Sequence, residues 1–411
     1  MSSTSETVTP PQDGHPEANQ TPEFQSPDVH PSDTHPRSLR ELVDYVSGKH
    51  LRGTYTEGES GVSDLPMFPF LALVGQREMK LALLLALINP ALGGVLLIGP
   101  RGTGKTTAAR SLSDLLPDVP RSLCHYGCLP EDIETGGIDA VCADCAKKYA
   151  LGDPIAAMDK VLLIELPLNS RLEDVVGTLD ERAAASGFFR VRRGILSQAD
   201  RNLLYVDEVN LLPDEIVDAI LDASAQGRYT VRRGAIASTY NSRFVLIGSM
   251  NPEEGNLRSQ IMDRFGLRLI VQGLDNLGER LEAYRRVQAY QYSPLQMANA
   301  YQTVTELARD EIQTARSLLT DVLLPDTIAQ MGLELVRQLQ IDSLRAEITM
   351  FEAARAHAAA DNRLEVTVDD LRQVAPMALR LRRSDFMAQY FNHQKHEETH
   401  IESILDQVLK S

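Results

Sequence analysis

Tryptophan is absent from this sequence, and aromatic residues amount to only 5% of it. A large flat ligand usually needs a large, mostly apolar pocket, so this chain is not expected to hold one itself. Long hydrophobic runs are missing too. No uninterrupted apolar stretch approaches the ~18 residues of a membrane span, and no membrane segment is expected. Positive charge is in short supply, with 41 Lys and Arg against 57 Asp and Glu and a net charge of −16. Phosphate backbones attract basic surfaces, so this balance disfavours broad nucleic-acid binding while leaving room for local basic patches. Residues 1–36 contain no lysine or arginine. With no basic segment leading into an apolar one, neither a secretory signal nor a transit peptide is read there, and a cytoplasmic location is expected.

The same 36 residues hold seven of the 21 prolines among Ser, Thr, Asp, Glu and Gln, a composition unable to bury enough apolar surface to fold. A disordered tail is predicted over residues 1–38, and SLRELVDYV after it reads as a short helix. Order is unambiguous from FPFLALVGQREMKLALLLALI onward, where Leu81, Leu84, Leu85 and Ile88 recur at helical spacing. The chain is long enough for two compact domains. Between Val95 and Ile270 the short apolar runs VLLI, VLLIEL, LLYV, FVLIG and LRLIV alternate with helical patterns. That alternation predicts an α/β domain over 39–275, with a largely parallel sheet covered by helices. From Asn276 only helical periodicity remains, as in IAQMGLELVRQLQ, so an all-helical domain is predicted over 276–395, followed by a tail over 396–411.

Gly99, Pro100, Arg101, Gly102, Thr103, Gly104, Lys105, Thr106 and Thr107 form a glycine-rich loop between the apolar run VLLI and the helical pattern TTAARSLSDLL. A strand before and a helix after make this a phosphate-binding loop. Its glycines let backbone N–H groups close around ATP phosphates, Lys105 reaches the terminal phosphates, and Thr106 ligates Mg²⁺. The run LLYV ends in Asp207-Glu208, where P-loop enzymes carry a Mg²⁺-associated aspartate; Glu208 would polarise the attacking water. Pro213 marks a following helix with Ile216, Val217, Ile220 and Leu221 as its buried stripe and Gly227 at its end. FVLIGSM then delivers Asn251, suited to orienting water or sensing the γ-phosphate.

The segments LLYVDEVNLLPDEIVDAILDASAQG, RFVLIGSMNPEEGNLRSQIMDRFGL and SLRAEITMFEAARA, with the loop before them, resemble in order and spacing the I subunit of magnesium chelatase, an AAA+ ATPase in the chelatase and MoxR-like group. The resemblance covers about Phe68 to Arg383. It implies a P-loop AAA+ core followed by a helical lid. It also makes Asn251 the sensor asparagine, Arg264 of DRFG the arginine finger with Arg258 as second candidate, and Arg345 of SLRAE the sensor arginine of the lid. A finger so placed serves a neighbouring subunit, which implies a homo-oligomeric ring, a hexamer. Family members use that ring in chlorophyll and bacteriochlorophyll synthesis to drive Mg²⁺ into protoporphyrin IX. They act with a D-type AAA+ subunit bearing an integrin-type domain and a porphyrin-binding H-type subunit.

Cysteine is scarce and concentrated. Cys124, Cys128, Cys142 and Cys145 are the only four, spaced Cys-x3-Cys-x13-Cys-x2-Cys in a segment, 120–150, that is not among the motifs shared with the family. Clustered thiols in a reducing compartment read first as metal ligands, and four thiolates suit tetrahedral Zn²⁺. An iron–sulfur or redox role, or a loop that merely contains cysteines, remains open. Two segments, FFRVRRGIL from Phe188 and YTVRRGAI from Tyr229, share VRRG and read as basic hairpins directed at a pore or partner, or as solvated turns. The RLRR run at Arg380–Arg383 reads as the end of a helix.

Two other readings compete. A nucleic-acid motor or transcription activator is disfavoured by the acidic balance and by the lack of a GAFTGA loop or of a helix-turn-helix after Arg383. A MoxR-like chaperone ATPase acting on an integrin-type-domain partner would use the same motor and differ only in client.

Overall fold

The computed structural model describes residues 66–124, 126–179, 191–233 and 236–383. The tail 1–38, the SLRELVDYV segment and the tail 396–411 lie outside the described residues. In chain order the strands are β1 (Val95–Ile98), β2 (Val119–Ser122), β3 (Ala156–Asp159), β4 (Leu163–Leu166), β5 (Gly177–Leu179), β6 (Val191–Arg193), β7 (Leu203–Val206), β8 (Arg228–Arg233), β9 (Ile236–Asn241), β10 (Val245–Met250) and β11 (Leu267–Ile270). Each of the five apolar runs contributes one strand to a parallel sheet ordered β11–β1–β10–β7–β4. The remaining strands pair antiparallel as β2–β3, β5–β6 and β8–β9.

A parallel sheet must be covered on both faces, and the period of two along each strand sorts its side chains accordingly. Val95 and Leu97 enter one core, Leu96 and Ile98 the other. The second core is closed by the helix Asp214–Gln226, which buries Ile216, Val217, Ile220 and Leu221 and ends at Gly227 with φ 65°. The first core takes in the helix Arg77–Ile88 and the C-terminal helices. Residues 82–88 of that helix are all buried while Leu81 is only partly so. Its apolar character runs all round because it lies between the sheet and other helices, not at a surface.

The helix read in TTAARSLSDLL is shorter than its pattern suggests: Lys105–Arg110 is helical, and Ser113–Leu115 forms a separate 3-10 turn. Ser111 Oγ donates to the Ala108 carbonyl at 3.0 Å and Ser113 Oγ to that of Arg110 at 3.3 Å. Serine hydroxyls that bond to carbonyls within the helix compete with its ladder.

Five helices follow the sheet: Leu277–Tyr292, Pro294–Leu318, Asp326–Gln338, Leu344–Ala360 and Val368–Leu379. None of the helices among the described residues is long and apolar enough to cross a membrane. The RLRR run does more than end the last of them. Arg382 is buried, pairs with Asp263 at 2.7 Å and donates to the carbonyls of Phe265 and Gly266. Arg268 of β11, fully buried, donates in return to the carbonyls of Arg380 and Leu381. Burial lowers the Arg268 pKa to about 10, so it remains charged at neutral pH. The clamp has no room to spare: a Cβ at Gly266 would lie 1.6 Å from the Leu92 carbonyl oxygen.

Asp370 ties the last two helices together. It is fully buried and accepts from His357 Nδ1 at 2.6 Å, Arg363 Nη1 at 2.8 Å and the Thr367 amide at 2.7 Å. Burial opposes its ionisation, but the bonds from Arg363, His357 and Thr367 prevail and hold the carboxyl well below the usual range. Its contribution is therefore present above the unfolded value of about 4 and is lost as pH falls below it. Asp370→Ala is expected to destabilise the chain by about 3–5 kcal/mol in denaturant titrations at neutral pH. The deficit relative to wild type should shrink as pH falls below about 4. A variant as stable as wild type at pH 7 would contradict this role.

Candidate nucleotide site

The strand order decides what meets at the carboxyl edge of the sheet. Because β10 lies between β1 and β7, the residue leaving β10 stands between the loop after β1 and the acidic pair after β7. Arg101–Thr107, Asp207–Glu208 and Asn251 thereby converge on a cavity of about 760 Å³. Phe68, Leu73, Val74 and Met79 supply an apolar end, and Arg280, Arg286 and Val287 approach from the first C-terminal helix.

The loop glycines serve two needs. Gly102 and Gly104 have φ of +79° and +87° with nothing within 4 Å of a Cβ, so backbone conformation demands glycine and the space above is open. At Gly99 the cause is crowding, since a Cβ there would lie 2.0 Å from the Val271 carbonyl oxygen. Lys105 is buried and donates from Nζ to the carbonyls of Gly99 at 2.8 Å and Pro100 at 2.7 Å. Burial lowers its pKa while Asp207, Glu254 and Glu208 oppose that shift.

Thr106 Oγ1 lies 3.0 Å from the Tyr205 hydroxyl, which donates to Asp207 Oδ1 at 2.9 Å. Ser249 Oγ donates to the same Asp207 oxygen and accepts from the Glu208 amide at 3.2 Å. Burial pushes the Tyr205 phenol up to about 12, so it keeps its proton and can donate. Thr106 and Asp207 thus present a hydroxyl and a carboxylate oxygen of the kind a hard divalent cation takes, with Tyr205 and Ser249 orienting the carboxylate.

Glu208 sits in the left-handed region at φ 48°, a backbone state that costs about 1–3 kcal/mol for a non-glycine residue and gathers at functional sites. Its carboxylate accepts from Arg101 Nη2 at 2.9 Å, and Arg101 Nε pairs with Glu254 at 2.7 Å. Asn251, almost fully buried, donates from Nδ2 to Glu254 Oε1 at 3.0 Å. That bond, with the nearby Arg101 charge, outweighs desolvation and lowers the Glu254 pKa.

The arginines implied by the resemblance lie elsewhere. Arg264 pairs with Asp218 at 3.1 Å and Asp222 at 2.9 Å on the helix Asp214–Gln226, and Arg258 pairs with Asp214. Arg345 is exposed near Arg382, beyond Ser343, whose hydroxyl reaches Asp263. None of the three lines the cavity of its own chain. Among the described residues, the cations that do are Arg101, Lys105, Arg280 and Arg286. Arg286 was not singled out from sequence. It is nearly fully buried, bonded to Glu282 at 2.7 Å and to the Ala72 carbonyl at 3.1 Å. Tyr205 was also missed, although the strand period of two puts it on the face of Asp207.

The four cysteines come together away from this cavity, all four Sγ atoms within 4.8 Å of one another. Cys128, Cys142 and Cys145 are buried and Cys124 partly so, in a small core of their own with Val141 and Ile155.

Residues 176–268 match the family described as magnesium chelatase, subunit ChlI, and residues 331–404 match the AAA lid domain. A magnesium-chelatase subunit ChlI homolog of Methanocaldococcus jannaschii is 39% identical over 336 residues, 81% of this chain and 90% of that protein. The magnesium-chelatase 38 kDa subunit of Acidiphilium rubrum is 41% identical over 320 residues, 77% of this chain and 91% of its own. Magnesium-chelatase subunit ChlI of a Nostoc species is 39% identical over 318 residues, 77% of this chain and 84% of its own. Likeness at this level along most of both chains, on a P-loop α/β core followed by helices, places the protein: it belongs to the magnesium-chelatase subunit I (ChlI) family of AAA+ ATPases.

Proposed function

We propose that this chain is the ATP-hydrolysing motor of a magnesium-chelatase-type ligase, working as a homo-oligomeric ring of six. The observation that carries this reading is the division of the site. Each chain supplies a phosphate loop, an acidic pair and a buried asparagine, while Arg264 and Arg345 lie outside its own cavity. Both arginines then serve a neighbour's ATP, Arg264 as the finger and Arg345 as the sensor, so a competent site forms only between chains. The five helices between Leu277 and Leu379 act as the lid.

Within a chain, the amides of the glycine-rich loop and Lys105 hold the phosphates. Thr106 and Asp207, positioned by Tyr205 and Ser249, hold Mg²⁺, which when bound offsets charge on the β- and γ-phosphate oxygens. A triphosphate entering the loop competes for the exposed Arg101 guanidinium and frees the Glu208 carboxylate. Glu208 then accepts a proton from the attacking water, which Asn251 orients. The adenine base faces the apolar end at Leu73, Val74 and Met79.

Hydrolysis is spent on partners. Differential affinity of a D-type AAA+ subunit with an integrin-type domain for the two nucleotide states transmits the energy, and a porphyrin-binding H-type subunit carries out Mg²⁺ insertion into protoporphyrin IX. A second, structural metal completes the chain: the thiolates of Cys124, Cys128, Cys142 and Cys145 are the donor set of a closed tetrahedral Zn²⁺ site.

The test is Mg-porphyrin fluorescence in a mixture of this chain with D-type and H-type subunits, protoporphyrin, Mg²⁺ and ATP, omitting one protein at a time. Product is expected only from the complete mixture. Product without this chain, or none from the complete mixture while ATP is still hydrolysed, would contradict the chelatase role and favour the chaperone reading.

A further inference from the structure

The ATP site uses neither the four cysteines nor the two VRRG segments, yet the structure joins them. Residues 180–190 and 234–235, including Phe188 and Gly234, lie outside the described residues, but the strands that carry the arginines are described: Arg192 and Arg193 on β6, Arg232 on β8. These arginines sit on strands, and Arg193 is not solvated at a turn. Its Nη1 donates to the Gly127 carbonyl at 2.8 Å, its Nη2 lies 3.8 Å from Asp132, and its guanidinium covers the Tyr240 ring at 5.1 Å. Gly127 belongs to the loop between Cys124 and Cys128, and Tyr240 to β9, where it packs on Tyr229 of β8 with ring centroids 5.7 Å apart. One side chain on the β5–β6 pair thus grips the cysteine loop with one edge and the β8–β9 pair with its face.

The cysteine loop is built to be held by an ion. The Cys128 amide donates to Cys124 Sγ at 3.3 Å, the Cys142 amide to Cys128 Sγ at 3.3 Å and the Cys145 amide to Cys142 Sγ at 3.4 Å. Ser122 Oγ adds a fourth donor to Cys124 Sγ at 3.3 Å. Donors aimed at sulfur stabilise thiolates and orient ligands. Cys142 also caps the helix Ala143–Leu151 and Cys145 lies in its first turn, where the helix dipole favours negative charge. Zn–S bonds of ~2.3 Å put tetrahedral sulfurs ~3.8 Å apart, within the span of the four observed here and the scale of a single ion. The approach of Arg193 depends on the bare backbone at Gly127: φ there is +67°, and a Cβ would lie 2.8 Å from Arg193 Nη1.

We infer that a single Zn²⁺ bound by the four cysteines fixes the Gly127 carbonyl under Arg193, and that this contact sets the position of both the β5–β6 and β8–β9 pairs. The inference rests on the reading of the cysteines as a zinc site and adds to it a mechanical role outside the ATP cavity. Two strand pairs that could engage a partner are thereby braced by one metal, independently of the phosphate loop.

The experiment uses the full chain purified without added metal. Metal analysis is expected to find about one zinc per chain. Hydrogen exchange in β6, β8 and β9 is expected to quicken about tenfold when a chelator removes the ion, while the amides of β1 stay protected. Arg193→Ala, which spares every cysteine, should quicken the same strands with zinc retained, and ATP binding should not change. Absence of zinc, or iron in its place, would overturn the metal reading itself. Zinc present with unaltered exchange in Arg193→Ala would overturn the brace and leave the metal site standing. Equal quickening in β1 would mean general loosening and would also overturn the brace.

Discussion

Replacing Arg264 with alanine is expected to lower ATP turnover by about 10³–10⁵-fold, the range a guanidinium finger supplies when it offsets charge on the transferred phosphoryl group. Affinity for ATP should change little, because Arg264 is not part of the cavity that holds the nucleotide in its own chain. Nor should the fold suffer. The partners Asp218 and Asp222 are 48% and 60% exposed, and ion pairs at such positions contribute about 0–1 kcal/mol. A large fall in kcat with near-normal binding and melting behaviour would therefore place Arg264 in the catalytic step and not in nucleotide binding or folding. Turnover within a few-fold of wild type would remove Arg264 from the mechanism and leave Arg258 as the candidate.

Glu208→Gln is expected to bind ATP as wild type does and to hydrolyse it about 10²–10⁴-fold more slowly, the contribution of a positioned general base. Glutamine retains an oxygen acceptor for Arg101 and places no new demand on the left-handed backbone at this position. What it loses is the capacity to take a proton from water. Binding of a fluorescent ATP analogue and single-turnover hydrolysis separate the two effects. Equal single-turnover rates for variant and wild type would assign the base elsewhere, with Glu254, 2.7 Å from Arg101, the next carboxylate to consider.

The difference between these two residues shows what the sequence can reveal. Asp207-Glu208 and Asn251 directly follow apolar runs, Lys105 closes the glycine-rich loop that follows another, and in a parallel α/β sheet the ends of such runs share one edge. Their convergence was legible because it needs only local pattern and a general rule of topology. The two close cysteine pairs were legible in the same way.

Other features depend on pairings between distant segments that no local pattern encodes. Arg286 reaches the cavity only because the first C-terminal helix packs against Ala72. Arg380–Arg383 clamps β11 through Asp263 and Arg268, although the run itself looks like any basic helix end. Lys80 is fully buried within an apolar helix, donates to the Leu73 carbonyl beside the cavity, and has its pKa lowered to about 8 by burial and the Arg286 charge. VRRG read equally well as a solvated turn until the strands placed Gly127 and Tyr240 on either side of Arg193.

The central claim is that each ATP site is completed by an adjacent chain, and subunit mixing tests it most directly. Lys105→Ala chains should not bind nucleotide but still offer Arg264, while Arg264→Ala chains should bind it but offer no finger, and each alone should be nearly inactive. In rings assembled from equal amounts, random assortment gives about a quarter of the interfaces an intact Lys105 facing an intact Arg264. The account predicts ATPase activity that appears on mixing, peaks at intermediate ratios and vanishes at either extreme. Mixed rings that demonstrably form and yet stay inactive at every ratio would contradict it.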